Sequence, residues 1–169
     1  MLPDPYGYPF VQQLERHWPI IRAEVEQLPE HSWLSWPENA VGLRVLPLLM
    51  PHQPPWVDDR FDERRALCPR TWEWVQGQPQ LFSAAISSLA PGGRILPHRD
   101  MEEPSALRCH LGLSLPEPGT ATFRVGDDTV AWSEGRCLVF HACEDHEARN
   151  EGDAPRVILV VDARIDQGR

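Results

Sequence analysis

From Leu81 to Ala163 the chain is a succession of short apolar or alternating runs, each stopped by residues that turn a backbone. The runs are Leu81–Leu89, Arg94–His98, Ala106–Leu115, Ala121–Val125, Thr129–Trp132, Cys137–His141, His146–Arg149 and Arg156–Ala163. Pro91-Gly-Gly93, Glu117-Pro-Gly119, Gly126-Asp-Asp128 and Glu134-Gly135 separate them. Short strands broken this regularly predict a sandwich or barrel.

The residues ahead of this region read differently. Residues 1–9 carry three prolines and predict an extended lead-in. Phe10, Leu14, Trp18, Ile21, Val25 and Leu28 recur at spacings of three and four, a helical stripe. Pro19 lies within it and predicts either a kink or a second helix starting at Pro19; Pro29 ends it. A strand is expected over Val41–Leu46, a charged exposed patch over Asp58–Arg65, and a short helix over Pro69–Gln76, closed by Gly77 and Pro79. With 169 residues the chain fits one domain, residues 1–169, with a helical part at about 10–80 and a barrel core at about 81–165.

Several function classes fall away on composition. A net charge of −9 argues against a nucleic-acid backbone binder. Cys68, Cys109, Cys137 and Cys143 show neither Cys-x-x-Cys spacing nor the density of a disulfide scaffold, which points to a reducing, cytoplasmic setting. The N-terminus reads as no signal peptide, and no apolar run is long enough to span a bilayer.

The chemistry concentrates in four residues. His98 and Asp100 form a His-x-Asp pair, His146 follows 48 positions after His98, and Arg156 comes ten residues later at the head of an apolar run ending at Asp162. Two imidazoles and a carboxylate occupy one face of a ferrous ion and leave the other open. An arginine beyond the distal histidine offers a planar fork suited to a carboxylate. Together they point to a non-haem iron oxygenase that uses 2-oxoglutarate. His141 competes with His146 for the distal ligand, but only His146 keeps the ten-residue step to Arg156. His98-Arg-Asp100 also resembles a protein-kinase catalytic loop; the Asn that loop requires is Ser105 here, and no Gly-rich loop or Asp-Phe-Gly accompanies it. In Ala106–Leu115, Leu107, Cys109, Leu111, Leu113 and Leu115 share one face, and Ala106, Arg108, His110, Gly112 and Ser114 the other. The apolar face is expected to meet the helices, and the other to line a cavity.

Ordered blocks along nearly the whole chain resemble the aspartyl/asparaginyl β-hydroxylase family. Pro9 to Glu24 is similar to the family's N-terminal helix, and Ser87 to His98 to its first metal-ligand segment. Arg108–Leu113, Trp132–Gly135, Glu144–Glu147 and Arg156–Asp162 match later blocks. The resemblance implies a mainly β fold with N-terminal helices, a double-stranded β-helix of jelly-roll or cupin-like form. It implies an Fe(II)- and 2-oxoglutarate-dependent dioxygenase that hydroxylates an unactivated C–H bond of a small molecule or peptide, an amino acid or peptide side chain being the expected substrate. His98, Asp100 and His146 would hold the iron. Arg156 and Ser87 would bind the distal carboxylate of 2-oxoglutarate, His110 would stand near its other end, and Arg108 would contact substrate.

Two departures bear on these roles. The family's animal peptide hydroxylases carry glycine where this chain has Asp100, whereas bacterial branches acting on lipid A and free amino acids keep the aspartate. The peptide hydroxylases also place polar substrate contacts at positions that are Ala106 and Ala142 here. Readings of other classes are a metal-binding β-barrel without redox turnover and a dioxygenase that needs no 2-oxoglutarate. Arg156 and Ser87 weigh against both, since neither has use for a carboxylate clamp.

Overall fold

The computed structural model describes residues 1–100 and 106–165. Its architecture follows from two periodicities. Helix α1 spans Pro9–Val25 with a proline in its first turn, where the missing N–H costs nothing. It runs through Pro19 as one helix, so of the two expected outcomes the division into two helices does not occur. An interior proline costs about 3 kcal/mol. Ile21 and Val25, beyond Pro19, are buried against the sheet and offset that cost, and the Trp18 indole donates to the Leu113 carbonyl at 3.3 Å.

Two short helices follow, α2 at Phe61–Leu67 and α3 at Pro69–Gln76. The α3 bounds are those expected. Helix α2 corrects the expected exposed patch at Asp58–Arg65: Arg64 is buried and pairs with Asp58 at 2.6 Å. A nearby carboxylate lets a guanidinium sit under a helix, so the charge pattern does not mark a wholly solvated face. Glu24 of α1 accepts from the Arg70 and Thr71 amides at 2.7 and 2.8 Å, which seats a carboxylate at the start of α3 and ties the two helices together.

Among the described residues nine strands form one antiparallel sheet: β1 (Leu34–Ser35), β2 (Ala40–Leu49), β3 (Leu81–His98), β4 (Ala106–Ser114), β5 (Ala121–Val125), β6 (Asp128–Ala131), β7 (Cys137–His141), β8 (His146–Asn150) and β9 (Arg156–Arg164). The order along it is β6-β5-β8-β3-β9-β4-β7, with β2 also on β3 and β1 on β2. Expected runs Leu81–Leu89 and Arg94–His98 are a single strand of 18 residues, which pairs with β9 before Pro91 and with β8 after Gly93. Pro91-Gly-Gly93 therefore carries β3 across the sheet without ending it. Gly92 has φ +72°, and a Cβ on Gly93 would lie 2.7 Å from the Ala90 carbonyl oxygen, so this passage needs glycine.

The sheet curls so that one face encloses a cavity and the other meets the helices. Leu107, Cys109, Leu111 and Leu113 of β4, with Leu159, Val161 and Ala163 of β9, pack under Phe10, Val11, Leu14 and Ile21 of α1. The opposite phase of the same strands points inward, where Leu43, Val45, Phe123, Phe140, Ala148 and Ile158 form a second cluster. The alternation expected for β4 holds from Leu107 to Leu111, with Arg108 and His110 lining the cavity, and breaks at the register shift between Gly112 and Ser114, past which Leu115 packs on the inner cluster instead of under the helices. Gly112 does not face the cavity; a Cβ there would lie 2.3 Å from the Ser133 carbonyl oxygen, so the residue accommodates the chain at Ser133–Glu134. Among the described residues no helix is long and apolar enough to cross a membrane.

Candidate metal centre and its pocket

His98 closes β3 and His146 opens β8, and the two are direct partners in the antiparallel register. Asp100 follows two residues after His98; its amide donates to the Ala142 carbonyl at 3.1 Å, which brings it back over the strand pair. Its Oδ1 lies 3.2 Å from His98 Nε2 and its Oδ2 3.2 Å from His146 Nε2. One donor atom from each of the three residues falls within 4.8 Å of the others.

The imidazoles are prepared alike. His98 Nδ1 is 2.7 Å from the Leu96 carbonyl oxygen, and His146 Nδ1 is 2.8 Å from that of Glu144, in each case two residues upstream. A carbonyl oxygen only accepts, so Nδ1 carries a proton and Nε2 is the nitrogen turned toward Asp100 and a metal. Burial alone would push the Asp100 pKa up; hydrogen bonds with His146 and His98 and the Arg108 charge outweigh it and hold the carboxyl well below its ordinary range. An ionised carboxylate facing two imidazole Nε2 atoms, each able to exchange its proton for a metal, fits a divalent transition metal. His141 takes no part in this cluster.

Arg156 stands across the cavity at the start of β9 and is 1% exposed. Its Nη1 donates to Ser87 Oγ at 3.3 Å, and its guanidinium lies over the Trp132 ring at 4.9 Å. Nε and Nη2 find no partner among the described residues. Burial, with no carboxylate to oppose it, pushes the Arg156 pKa down to about 9. A buried cation with two idle donors on one fork fits a carboxylate ligand. Register settles which serine faces it: Ser87 lines the cavity, and Ser88 points to the opposite face.

His110 packs among Phe123, Phe140 and Trp132, with ring centroids 5.1, 5.1 and 6.1 Å away. The Trp132 indole, which only donates, approaches His110 Nδ1 at 3.4 Å, so the proton belongs on Nε2. Burial, then the nearby Arg108 and Arg156 charges, push its pKa well below the ordinary histidine value. Arg108 also lines the cavity, but its fork is engaged: Nε and Nη2 donate to Asp162 at 2.7 and 2.9 Å, and Nη1 to Asp100.

All seven residues singled out from the sequence thus line one cavity of about 240 Å³. Sequence reasoning passed over Asp162 and Trp132. Asp162 shares the phase of Arg156 by the period of two along β9, a signal available in the sequence. Elsewhere the cavity wall combines apolar Trp36, Leu43, Val45, Met50 and Ile95 with polar Glu38, Asn39, Ser83 and Glu147. Ala106 and Ala142 are buried and contribute no polar group to it.

A solved 2OG-Fe(II) oxygenase family oxidoreductase from Burkholderia pseudomallei superposes with a TM-score of 0.56 at 17% identity, covering 88% of this chain and 78% of that one, a likeness of fold. An ornithine lipid ester-linked acyl 2-hydroxylase of Rhizobium tropici is 32% identical over 94% of this chain. The human aspartyl/asparaginyl β-hydroxylase is 29% identical over 95% of it. The alignments span 58% and 22% of those relatives' own lengths. The aspartyl/asparaginyl β-hydroxylase sequence profile matches residues 15–165, from within α1 to the residue after β9. On that match, which takes in the whole curled sheet and every residue of the cavity's polar wall, the chain belongs to the aspartyl/asparaginyl β-hydroxylase family.

Proposed function

We propose that the protein is an Fe(II)- and 2-oxoglutarate-dependent hydroxylase of an unactivated C–H bond. The observation that carries this reading is the pairing of two features in one cavity. Nε2 of His98, Nε2 of His146 and the Asp100 carboxylate converge on one point, and the buried Arg156 fork has donors to spare across from them. A metal-binding barrel without turnover explains the first feature and leaves the second idle.

His98, Asp100 and His146 would hold Fe(II), which with 2-oxoglutarate and dioxygen supplies the oxidation that replaces C–H by C–OH, releasing succinate and carbon dioxide. The chain's own residues bind, orient and exclude water. Arg156 and Ser87 receive the distal carboxylate of the oxo-acid, and Trp132 holds the guanidinium plane from below. His110, neutral and protonated on Nε2, offers a donor without adding a third cation beside Arg108 and Arg156. Phe123 and Phe140 pack on the His146 ring and keep its inner face dry.

An amino acid or peptide side chain is the substrate expected from the sequence. A second reading, an alkyl or acyl chain, is favoured by the wall of Trp36, Leu43, Val45, Met50 and Ile95 and by the likeness to the Rhizobium acyl 2-hydroxylase. Anaerobic titration of the purified protein with Fe(II) and then 2-oxoglutarate tests the reaction class. A weak visible charge-transfer band is expected, followed by substrate-stimulated succinate formation on admitting air. Iron-loaded protein that shows neither is a binding module and not a hydroxylase.

A further inference from the structure

We propose that Asp162 is a positioning residue for the metal centre: acting through Arg108 it anchors the Asp100 carboxylate and commits the Arg108 fork to that task. The inference rests on the metal-dependent reading above and assigns a role to a residue that reading does not use.

Arg108 on β4 and Asp162 on β9 are direct partners in the antiparallel register, so the backbone pairing itself sets their separation. The contact is two-pronged, Nε to Oδ1 at 2.7 Å and Nη2 to Oδ2 at 2.9 Å. The Asp162 side chain is 4% exposed, so no water layer competes for it. A guanidinium gripped on two corners can rotate about neither, and the third corner, Nη1, is delivered to Asp100 Oδ2.

Asp100 needs such an anchor. It lies past the end of β3, held among the described residues by a single backbone hydrogen bond, and its side chain is 26% exposed. Both histidines, by contrast, end or begin a strand and have Nδ1 tethered. A carboxylate that ligates through one oxygen is oriented by what holds the other. Asp162 also balances charge. Without it, the Arg108 cation would stand beside a dication with only Asp100 between them. Arg156 and Asp162 lie on one phase of β9, so that strand would serve the oxo-acid with its first residue and the metal with Asp162 near its other end.

The test is Co(II) titration of the metal-free protein by calorimetry and visible absorption. Asp162→Asn is expected to raise the Co(II) Kd about 10- to 100-fold, the usual range for losing an outer partner of a metal ligand, and to shift the Co(II) spectrum toward that of Asp100→Ala. Should Asp162→Asn fail to fold, the double variant Arg108→Met/Asp162→Leu removes both charges together and leaves no buried ion unpaired. It is expected to weaken Co(II) roughly tenfold by the same loss of the outer partner. Added to Asp100→Ala, the double change should cost less than about twofold, because the anchor then has nothing to hold. Wild-type Kd in the folded double variant, or an equal loss with and without Asp100, overturns the proposal alone. Wild-type protein that binds no Co(II) overturns the metal reading with it.

Discussion

His98 and His146 face each other as register partners of β3 and β8, with ring centroids 4.4 Å apart and matching Nδ1 tethers to the carbonyls of Leu96 and Glu144. Two residues 48 positions apart in the chain are thereby fixed as neighbours by backbone hydrogen bonds, before any metal arrives. Asp100 has no such support, and the difference orders the effects of losing each ligand. His98→Ala and His146→Ala are expected to abolish turnover. Asp100→Ala should bind Fe(II) measurably less tightly yet retain some succinate formation at high Fe(II), since both histidines keep their register and their tethers. Iron titration and succinate assays on the three variants check the order; wild-type iron affinity in Asp100→Ala would make the site a two-histidine one.

On the proposed reading, Arg156→Ala removes a charge-assisted fork that would engage 2-oxoglutarate in ground state and transition state alike. Such uniform binding raises KM for 2-oxoglutarate more than it lowers kcat. A contact of about 1.5–3 kcal/mol corresponds to roughly a 10- to 100-fold rise. Arg156→Lys should recover only part, because a point charge cannot match two oxygens at once. Steady-state kinetics with varied 2-oxoglutarate decide it, and an unchanged KM would remove Arg156 from the cosubstrate site.

The substrate wall leads to a competition experiment. Ala106 and Ala142 present no polar group, and Trp36, Leu43, Val45, Met50 and Ile95 present mostly carbon. Aspartyl residues in folded growth-factor-like domains are expected to be poor substrates beside amphiphiles that carry an acyl chain. Succinate yield across a panel of amino acids, peptides and acylated amphiphiles gives the answer. Robust hydroxylation of an aspartyl domain would assign the apolar wall a different use.

Gly112 tests the fold apart from the chemistry. A Cβ there would meet the Ser133 carbonyl oxygen at 2.3 Å, and that oxygen is backbone, which cannot swing aside as a side chain would. Gly112→Ala is expected to cost about 1–3 kcal/mol through overpacking. For a chain of this length that lowers Tm by roughly 2–10 °C. Thermal unfolding followed by circular dichroism measures it.

Strand periods were legible in the sequence because a half-buried strand must alternate, and a helix under a sheet must repeat every three or four residues. Hence α3, β5 and β7 begin and end where expected, and β4 turns its leucines toward α1. The residues of the polar wall were legible for a different reason: a metal and a carboxylate accept few side-chain types, and the spacing of His98, Asp100, His146 and Arg156 resembles a known family. Pro19, Pro91-Gly-Gly93 and Arg64 were misread or left open for one shared reason. A breaker or a charge states only a local preference, and burial of Ile21, the two-sided pairing of β3, or an ion pair with Asp58 overrides it. The partners of Arg108 and the choice of Ser87 over Ser88 depend on which residues register places opposite one another across strands far apart in the chain. Alternation along β9 puts Asp162 on the phase of Arg156; only the closing of β4 against β9 sets it against Arg108, because cross-strand register is a property of the assembled sheet and of no single segment.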